Sequence, residues 1–206
     1  ALMPADEFRT TILLRLGLQL TADSHKCRQC GKQVADVSGH HSLCCMQGGF
    51  RTRAHNALRD CLNGIASAGL LHPIKEWPAF PRSGERMDLV FFREGRQVLA
   101  DIAIVYPLRD GLLTDSLKSP GGGATAYEEV KRAKYLHQVN LQAQELAPVV
   151  FDTFGACGSA ARPIVDFIVN AYIKAKDLGS YGRSIALTQI NRCVLKNVAL
   201  LALTNM

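Results

Sequence analysis

Residues 87–105 read MDLVFFREGRQVLADIAIV, and this stretch decides the fold. Two apolar runs within it, 87–92 and 98–105, have the length and the aromatic and β-branched content of strands. The Glu-Gly pair between the runs is typical of a tight hairpin turn. We therefore predict two antiparallel strands, of which the first carries Asp88 and the second carries Asp101.

Helices and further strands are predicted on both sides of this hairpin. Apolar residues recur at helical spacing, or form short strand-like runs, over most of the remaining chain. The predicted helices cover about 8–20, 50–70, 125–143, 160–175 and 184–202, and the predicted further strands cover 74–80 and 149–152. The glycine-rich stretch 107–123 predicts a mobile loop. This order indicates an α/β fold with a mixed central sheet flanked by helices.

Length and composition limit the class of protein. A chain of 206 residues can bury one core with a small satellite, and 48% hydrophobic residues argue against disorder. The net charge of +6 favours a polyanionic partner. No window holds about 18 consecutive apolar residues, so we expect no membrane span, and an intracellular protein. We predict three units: an N-terminal helix (1–20), a metal-binding insert (21–49) and the core (50–206).

Four cysteines and two histidines are concentrated within the predicted insert. Cys27 and Cys30 form a CxxC pair, and His40 with Cys45 can complete a tetrahedral Zn²⁺ site. His41 and Cys44 are competing ligands that the spacing leaves open. Because the segment has too few apolar residues to hold itself together, we expect zinc binding to supply its folding free energy. Such a zinc-binding segment can bind nucleic acid or only stabilise the fold. The alternative is a loop whose cysteines are merely buried.

The two aspartates of the hairpin suggest a second metal site. Adjacent strands can bring Asp88 and Asp101 side by side, and a carboxylate within an apolar strand costs free energy unless a cation or hydrogen bonds compensate it. Mg²⁺ binds one or two carboxylates together with a substrate phosphate. The alternative for either aspartate is a half-buried side chain that caps a strand end. Glu76, on the preceding predicted strand, is a further candidate carboxylate.

These motifs resemble the PD-(D/E)xK nucleases, and in particular the restriction-like endonuclease domain of site-specific non-LTR retrotransposons and their stand-alone or domesticated relatives. The resemblance covers most of residues 27–157 in a fixed order. The order is a CCHC knuckle, the segment Arg53-Ala-His55-Asn56, the two aspartates, then Lys131-x-x-Lys134-Tyr. Two positions depart from the pattern: methionine stands at 87 where the motif often has proline, and alanine stands at 103 instead of lysine.

The resemblance implies a restriction-endonuclease-like core and a function. Asp88 and Asp101 would bind Mg²⁺ or Mn²⁺, and Lys131 or Lys134 would replace the missing motif lysine. The alternative for the two lysines is a solvated helix face. The reaction would be hydrolysis of a DNA phosphodiester, by which a retroelement nicks its target. Six residues are predicted to contact nucleic acid: Arg51, Arg53, His55, Asn56, Arg59 and Arg86. The alternative for His55 and Asn56 is that they hold the knuckle against the core.

The implied partner is DNA, with RNA as a second candidate. The chain has no room for a polymerase, so a reverse transcriptase domain or other subunits of a larger product would be separate, and the protein would act in the nucleus. The alternative function is a zinc-containing nucleic-acid-binding or scaffold module on the same fold without activity, and Ala103 is the residue that supports it.

Overall fold

The computed structural model describes residues 3–31, 34–80 and 83–205. It contains seven α-helices and six strands within these residues: α1 (Ala5–Arg15), β1 (His25–Lys26), β2 (Val34–Ala35), α2 (His40–Cys44), α3 (Phe50–Ala68), β3 (Ile74–Phe80), β4 (Glu85–Arg93), β5 (Arg96–Val105), α4 (Leu113–Lys118), α5 (Gly122–Tyr135), β6 (Gln144–Asp152), α6 (Ala161–Lys176) and α7 (Gly182–Asn205). The three predicted units include residues 1, 2, 32, 33, 81, 82 and 206, which lie outside the described residues. The division into units stays a prediction.

The central sheet has four strands in the order β3-β4-β5-β6. β4 is antiparallel to both of its neighbours, β3 and β5, whereas β5 and β6 are parallel and are connected through α4 and α5. The hairpin turn lies at Glu94 and Gly95, which both have positive φ, as the tight turns that join two strands require. The predicted mixed α/β sheet with flanking helices is confirmed.

Helices pack on both faces of this sheet. On one face, α3, α6 and α7 cover Leu89, Phe91 and Ile102 in the largest apolar cluster. On the other face, α5 packs on the alternate residues of β5, including Leu99, Ala103 and Val105. Since side chains alternate along a strand, Asp101 shares the face of Ala103 and is directed to the side of α5.

Three sequence predictions about the bounds of elements were wrong. The stretch 107–123, expected to be a loop, contains the short helix α4. The strand expected at 149–152 starts at Gln144, so Pro148 lies inside β6, opposite Asp101 of β5. Because β6 is an edge strand of the described sheet, the missing N–H of a proline need not break a ladder bond. The helix expected to reach 143 ends at Tyr135, with one 3₁₀ turn after it.

Candidate functional site

The N-terminal cysteines form a cluster with His41. The ligand atoms of Cys27, Cys30, His41 and Cys45 all lie within 4.8 Å of one another. The sulfurs of Cys27 and Cys45 are 3.8 Å apart, and Cys30 Sγ is 3.5 Å from His41 Nε2. A tetrahedral Zn²⁺ with bonds of about 2.3 Å to sulfur and about 2.0 Å to nitrogen separates its ligands by roughly these distances. These four residues therefore suit one zinc ion, and we call them the zinc cluster.

His40 was predicted to be the histidine ligand, and this choice was wrong. The exposed His40 ring instead contacts Tyr106 edge-on, with 5.2 Å between the ring centroids. The two histidines are neighbours on α2, where successive side chains differ in direction by about 100°. Only one of them can therefore face the three thiols, and the helix turns His41 towards them.

Asp36 fixes the start of α2 and thereby the direction of His41. Its carboxylate accepts the backbone N–H of His41 at 2.8 Å and that of His40 at 3.0 Å, and it also bonds the Ser38 hydroxyl. Burial raises the pKa of Asp36, but these hydrogen bonds outweigh the effect and lower it to about 2. Asp36 was not predicted from the sequence to have a role, although an aspartate just ahead of a short helix is a typical capping signal.

Asn205, the last residue of α7, forms hydrogen bonds with the segment that carries the cluster, although it lies far from that segment in the sequence. Its fully buried amide donates to the carbonyls of Ser42 at 2.9 Å and Leu201 at 3.0 Å. The Gln29 side chain, inside the CxxC turn, donates to the Thr204 carbonyl at 3.2 Å. No local sequence signal connects residues that are this far apart along the chain.

The structure brings Asp88 and Asp101 together with His55 and Lys131. Asp88 Oδ1 is 2.8 Å from His55 Nε2, and Asp88 Oδ2 accepts the Ile102 backbone N–H at 2.6 Å. Asp101 Oδ2 is 2.9 Å from Lys131 Nζ. Both aspartates are buried, with 8% and 5% of their surface exposed. We call these four residues the carboxylate cluster.

The pairing of β4 with β5 ends at the carboxylate cluster. The last described pair of the ladder is Leu89 with Ala100, immediately before the two aspartates. Beyond this point β4 pairs with β3, and β5 pairs with β6. The Asp88 side chain takes the place of a strand partner by accepting the Ile102 N–H. The divergence of the strands gives both carboxyl groups room to meet helix side chains.

Burial and ion pairing oppose each other at the groups of the cluster. It raises the pKa of Asp101, Lys131 opposes this, and the neighbouring Asp88 carboxyl raises it again. Burial also lowers the pKa of Lys131, but the Asp101 charge and hydrogen bond outweigh it, so that the ammonium stays charged. The hydrogen bond to Asp88 raises the pKa of His55 against the effect of burial. The cluster therefore places two carboxyl groups that repel each other beside two basic groups.

Glu128 positions Lys131. Its fully buried carboxylate accepts the backbone N–H groups of Ala160 and Ala161, each at 2.8 Å, at the start of α6. Lys131 lies three residues further along α5, one turn from this anchor. The anchor fixes α5 against the rest of the protein, so that the lysine reaches Asp101 from the helix.

Other predicted site residues lie outside the carboxylate cluster. Lys134 bonds Glu85 and the Tyr135 hydroxyl, each at 2.8 Å, and Glu76 pairs with Arg59 on the solvent side. Arg59 also contacts Asp60 at 3.3 Å, so its charge is already shared by two carboxylates. The remaining predicted contacts to nucleic acid are exposed or half-buried on α3 and β4: Arg51, Arg53, Asn56 and Arg86.

A scan against models of known protein families finds no match to this sequence, and a search of curated proteins finds none either. No helix within the described ranges is long and apolar enough to cross a membrane.

Proposed function

We propose that this protein is a metal-dependent DNA endonuclease with a restriction-endonuclease-like core, of the type found in site-specific non-LTR retrotransposons. One observation carries the proposal: two buried carboxyl groups from adjacent strands lie together, with the Lys131 ammonium 2.9 Å from Asp101 Oδ2. Structural ion pairs usually lie at the surface, whereas buried, mutually perturbing titratable groups are concentrated at active sites.

Asp88 and Asp101 would bind Mg²⁺ or Mn²⁺ in this function. The bound ion would activate water and stabilise the charge of the transition state. Lys131 would balance the negative charge that develops on the phosphate, and the His55 hydrogen bond would orient the Asp88 carboxylate. In the reaction, an oxygen of water bonds to phosphorus, the bond from phosphorus to the leaving oxygen breaks, and that oxygen takes up a proton.

The lysine of the motif is replaced in this proposal by Lys131. Position 103, two residues after Asp101, points to the same side of β5 as Asp101 does. α5 covers that side, so a lysine on α5 can reach the place that a strand lysine would occupy. The Ala103 substitution is therefore compatible with an active site.

A nicking assay tests the proposal. Zinc-loaded protein is incubated with supercoiled plasmid, first without added divalent cation and then with Mg²⁺ or Mn²⁺. We expect nicked and linear products only after the cation is added, and none from Asp101→Asn. Omitting the cation is a better control than EDTA, because EDTA would also remove zinc from the knuckle. Absence of cleavage by well-folded, zinc-bound protein in both cations would refute the proposal.

A second candidate function is a non-catalytic nucleic-acid-binding or scaffold module. It is favoured by the fact that the carboxylates already have partners, with Asp88 bonded to His55 and Ile102 and Asp101 bonded to Lys131. In that case the protein would bind DNA or RNA, and Asp101→Asn would not weaken binding. The nicking assay separates the two functions.

A further inference from the structure

A cleft of about 310 Å³ lies beside the carboxylate cluster. The first turns of α3, the end of β5 and two residues of α5 contribute to its walls, together with Leu43, Cys44 and Met46, which lie on either side of the ligand Cys45 in the chain. His55 and Lys131 belong both to the cleft and to the carboxylate cluster. A ligand in the cleft would therefore lie next to the proposed reaction centre.

Ala103 is part of the reason that the cleft exists. It lines the cleft at the position two residues after Asp101. A lysine there would extend into this space, whereas alanine leaves it open. Lys131 supplies the ammonium to Asp101 from α5 instead. Because the ammonium comes from α5 and position 103 of β5 is an alanine, space remains beside the carboxylates.

The groups that line the cleft suit a nucleic-acid base. The Arg109 guanidinium lies over the Tyr127 ring, 5.0 Å from its centroid, and its Nε is buried without a hydrogen-bond partner among the described residues. Thr153 is 5% exposed, and its hydroxyl oxygen is buried and likewise has no partner within the part of the chain that the structure describes. Bases stack on guanidinium planes and aromatic rings, and their edges donate and accept hydrogen bonds.

Charge and size narrow the choice of ligand. The lining includes Arg51, Arg109, Lys131 and His55, and no carboxylate among the residues that the structure describes. Such a surface favours a phosphate-bearing ligand. The volume is at the lower limit of small-molecule sites, which are about 300–1,000 Å³. A duplex cannot enter a space of this size, but one nucleotide can.

We propose that this cleft binds a single unstacked nucleotide of the DNA strand that passes the carboxylate cluster. The base lies against Arg109 and Thr153, and a neighbouring phosphate lies at Lys131. The inference rests on the proposed function in one respect, that the ligand is DNA. It adds that the protein prefers DNA that is unpaired or easily unpaired near the cleavage position, because extruding a paired base costs free energy.

Binding of 2-aminopurine oligonucleotides tests this inference without any cleavage. The fluorescence of 2-aminopurine increases when the base leaves its stack. Wild-type protein is titrated into a single-stranded decamer with one 2-aminopurine, into its duplex and into 2-aminopurine deoxyribonucleoside monophosphate, without added divalent cation. We expect the decamer to bind at least about tenfold more tightly than the duplex and the monophosphate, with a fluorescence change.

Two variants with matched controls locate the binding site. Ala103→Leu fills the cleft, and Arg109→Gln removes the guanidinium; each should weaken decamer binding by about tenfold or more. The controls are Ala133→Leu, an exposed position of α5, and Arg183→Gln, which makes the same charge change at an exposed ion pair with Asp166. Both controls should stay within about twofold of the wild type. Ala103 also packs against α5, so the larger leucine could prevent folding. In that case the Arg109→Gln variant alone tests the site.

Three results would overturn the inference: equal binding by the cleft variants and their controls, unchanged 2-aminopurine fluorescence, or a preference for the duplex or the monophosphate. These outcomes are separate from the nicking assay. A nuclease whose Ala103→Leu variant binds the decamer normally would have the proposed function without a nucleotide site. A protein that does not nick DNA but shows the expected binding differences would have the site without the activity.

Discussion

Asp101 is the residue on which the proposed chemistry depends most directly. Its carboxyl group is almost fully buried, lies beside a second carboxyl group and has one cationic partner, Lys131. An apolar side chain at this position would fold without the cost of burying a charge. A residue that is unfavourable for stability and has a specific charged partner is typical of a functional position.

The first prediction concerns the two aspartates. Asp88→Asn and Asp101→Asn should each reduce the rate of Mg²⁺-dependent nicking to the background level, because each amide removes a negative charge needed for the cation. Both side chains keep nearly the same shape, so circular dichroism and thermal unfolding should show a folded protein. Full activity in either variant, measured as the initial rate of plasmid nicking, would contradict the assignment of the metal ligands.

The second prediction separates the two lysines of α5. Lys131→Ala should slow nicking by about a hundredfold or more, the usual effect of removing one group that stabilises transition-state charge. Lys134→Ala is the matched control: it lies one turn away, bonds Glu85 and should change the rate by less than about threefold. The comparison is made at saturating DNA, so that weaker binding does not affect the rate. Equal effects of the two changes would argue against a specific role for Lys131.

At the scale of elements, the zinc cluster and α2 act as one unit with the end of α7. α2 is five residues long, too short to be stable alone, and Asp36 is the capping group at its start. Leu43 of α2 is part of the largest apolar cluster, together with α3 and α7. The insert is therefore joined to the core by packing as well as through the chain at Gly48 and Gly49.

The third prediction concerns zinc content. Cys30→Ser should reduce zinc from one ion per chain to a small fraction, because serine is a poor ligand for zinc compared with a thiolate. Cys44→Ser is the matched control, since Cys44 is adjacent to Cys45 but does not belong to the cluster, and it should retain the metal. Elemental analysis of both purified variants measures the result. Well-folded wild-type protein without zinc would show that the cluster is not a zinc site.

The fourth prediction is that zinc affinity increases with pH. Burial raises the pKa of the Cys45 thiol, and zinc binds the thiolate, so binding must displace a proton. The apparent affinity should therefore be lowest at acidic pH and should rise between about pH 6 and about pH 8. Competition with a chromophoric chelator at several pH values measures how the zinc affinity changes with pH, once the chelator's own protonation is subtracted. An affinity that is independent of pH would show that the thiols are already deprotonated without metal.

At the scale of the whole molecule, the zinc cluster and the carboxylate cluster are linked by one cleft. Cys44, the last residue of α2, and Met46 lie on either side of the ligand Cys45 in the chain and line the same cleft as His55 and Lys131. α7 packs against α1, α2 and α3, and its last residues contact the CxxC turn. Loss of the zinc ion should therefore alter the cleft as well as the insert.

The fifth prediction tests this long-range contact. Asn205→Ala removes the amide that donates to the Ser42 carbonyl and leaves that buried acceptor without this partner, at a cost of about 1–3 kcal/mol. The melting temperature should fall, and zinc should be lost to a chelator faster than from the wild type. Asn170→Ala, on the exposed surface of α6, is the control and should change neither quantity. An unchanged rate of zinc loss from Asn205→Ala would mean that α7 does not stabilise the insert.

The sequence by itself determined the elements whose formation depends on near neighbours. The hairpin of β4 and β5 follows from two apolar runs joined by a tight turn, and its register places Asp88 and Asp101 at the same level of the sheet. The metal-binding character of the insert follows from the ligand types and their close spacing. In both cases the residues involved are within about 20 positions of one another in the chain, so that a local pattern is enough to predict that they lie close together.

Only the tertiary structure decided which of two similar residues occupies each site. His40 and His41 are adjacent in sequence, and Lys131 and Lys134 are one helical turn apart, so each pair fits the same sequence pattern. The choice depends on how α2 and α5 are rotated against the rest of the protein, which Asp36 fixes for α2 and Glu128 for α5. Such rotations result from packing and hydrogen bonds between residues far apart in the chain, and no local pattern encodes them.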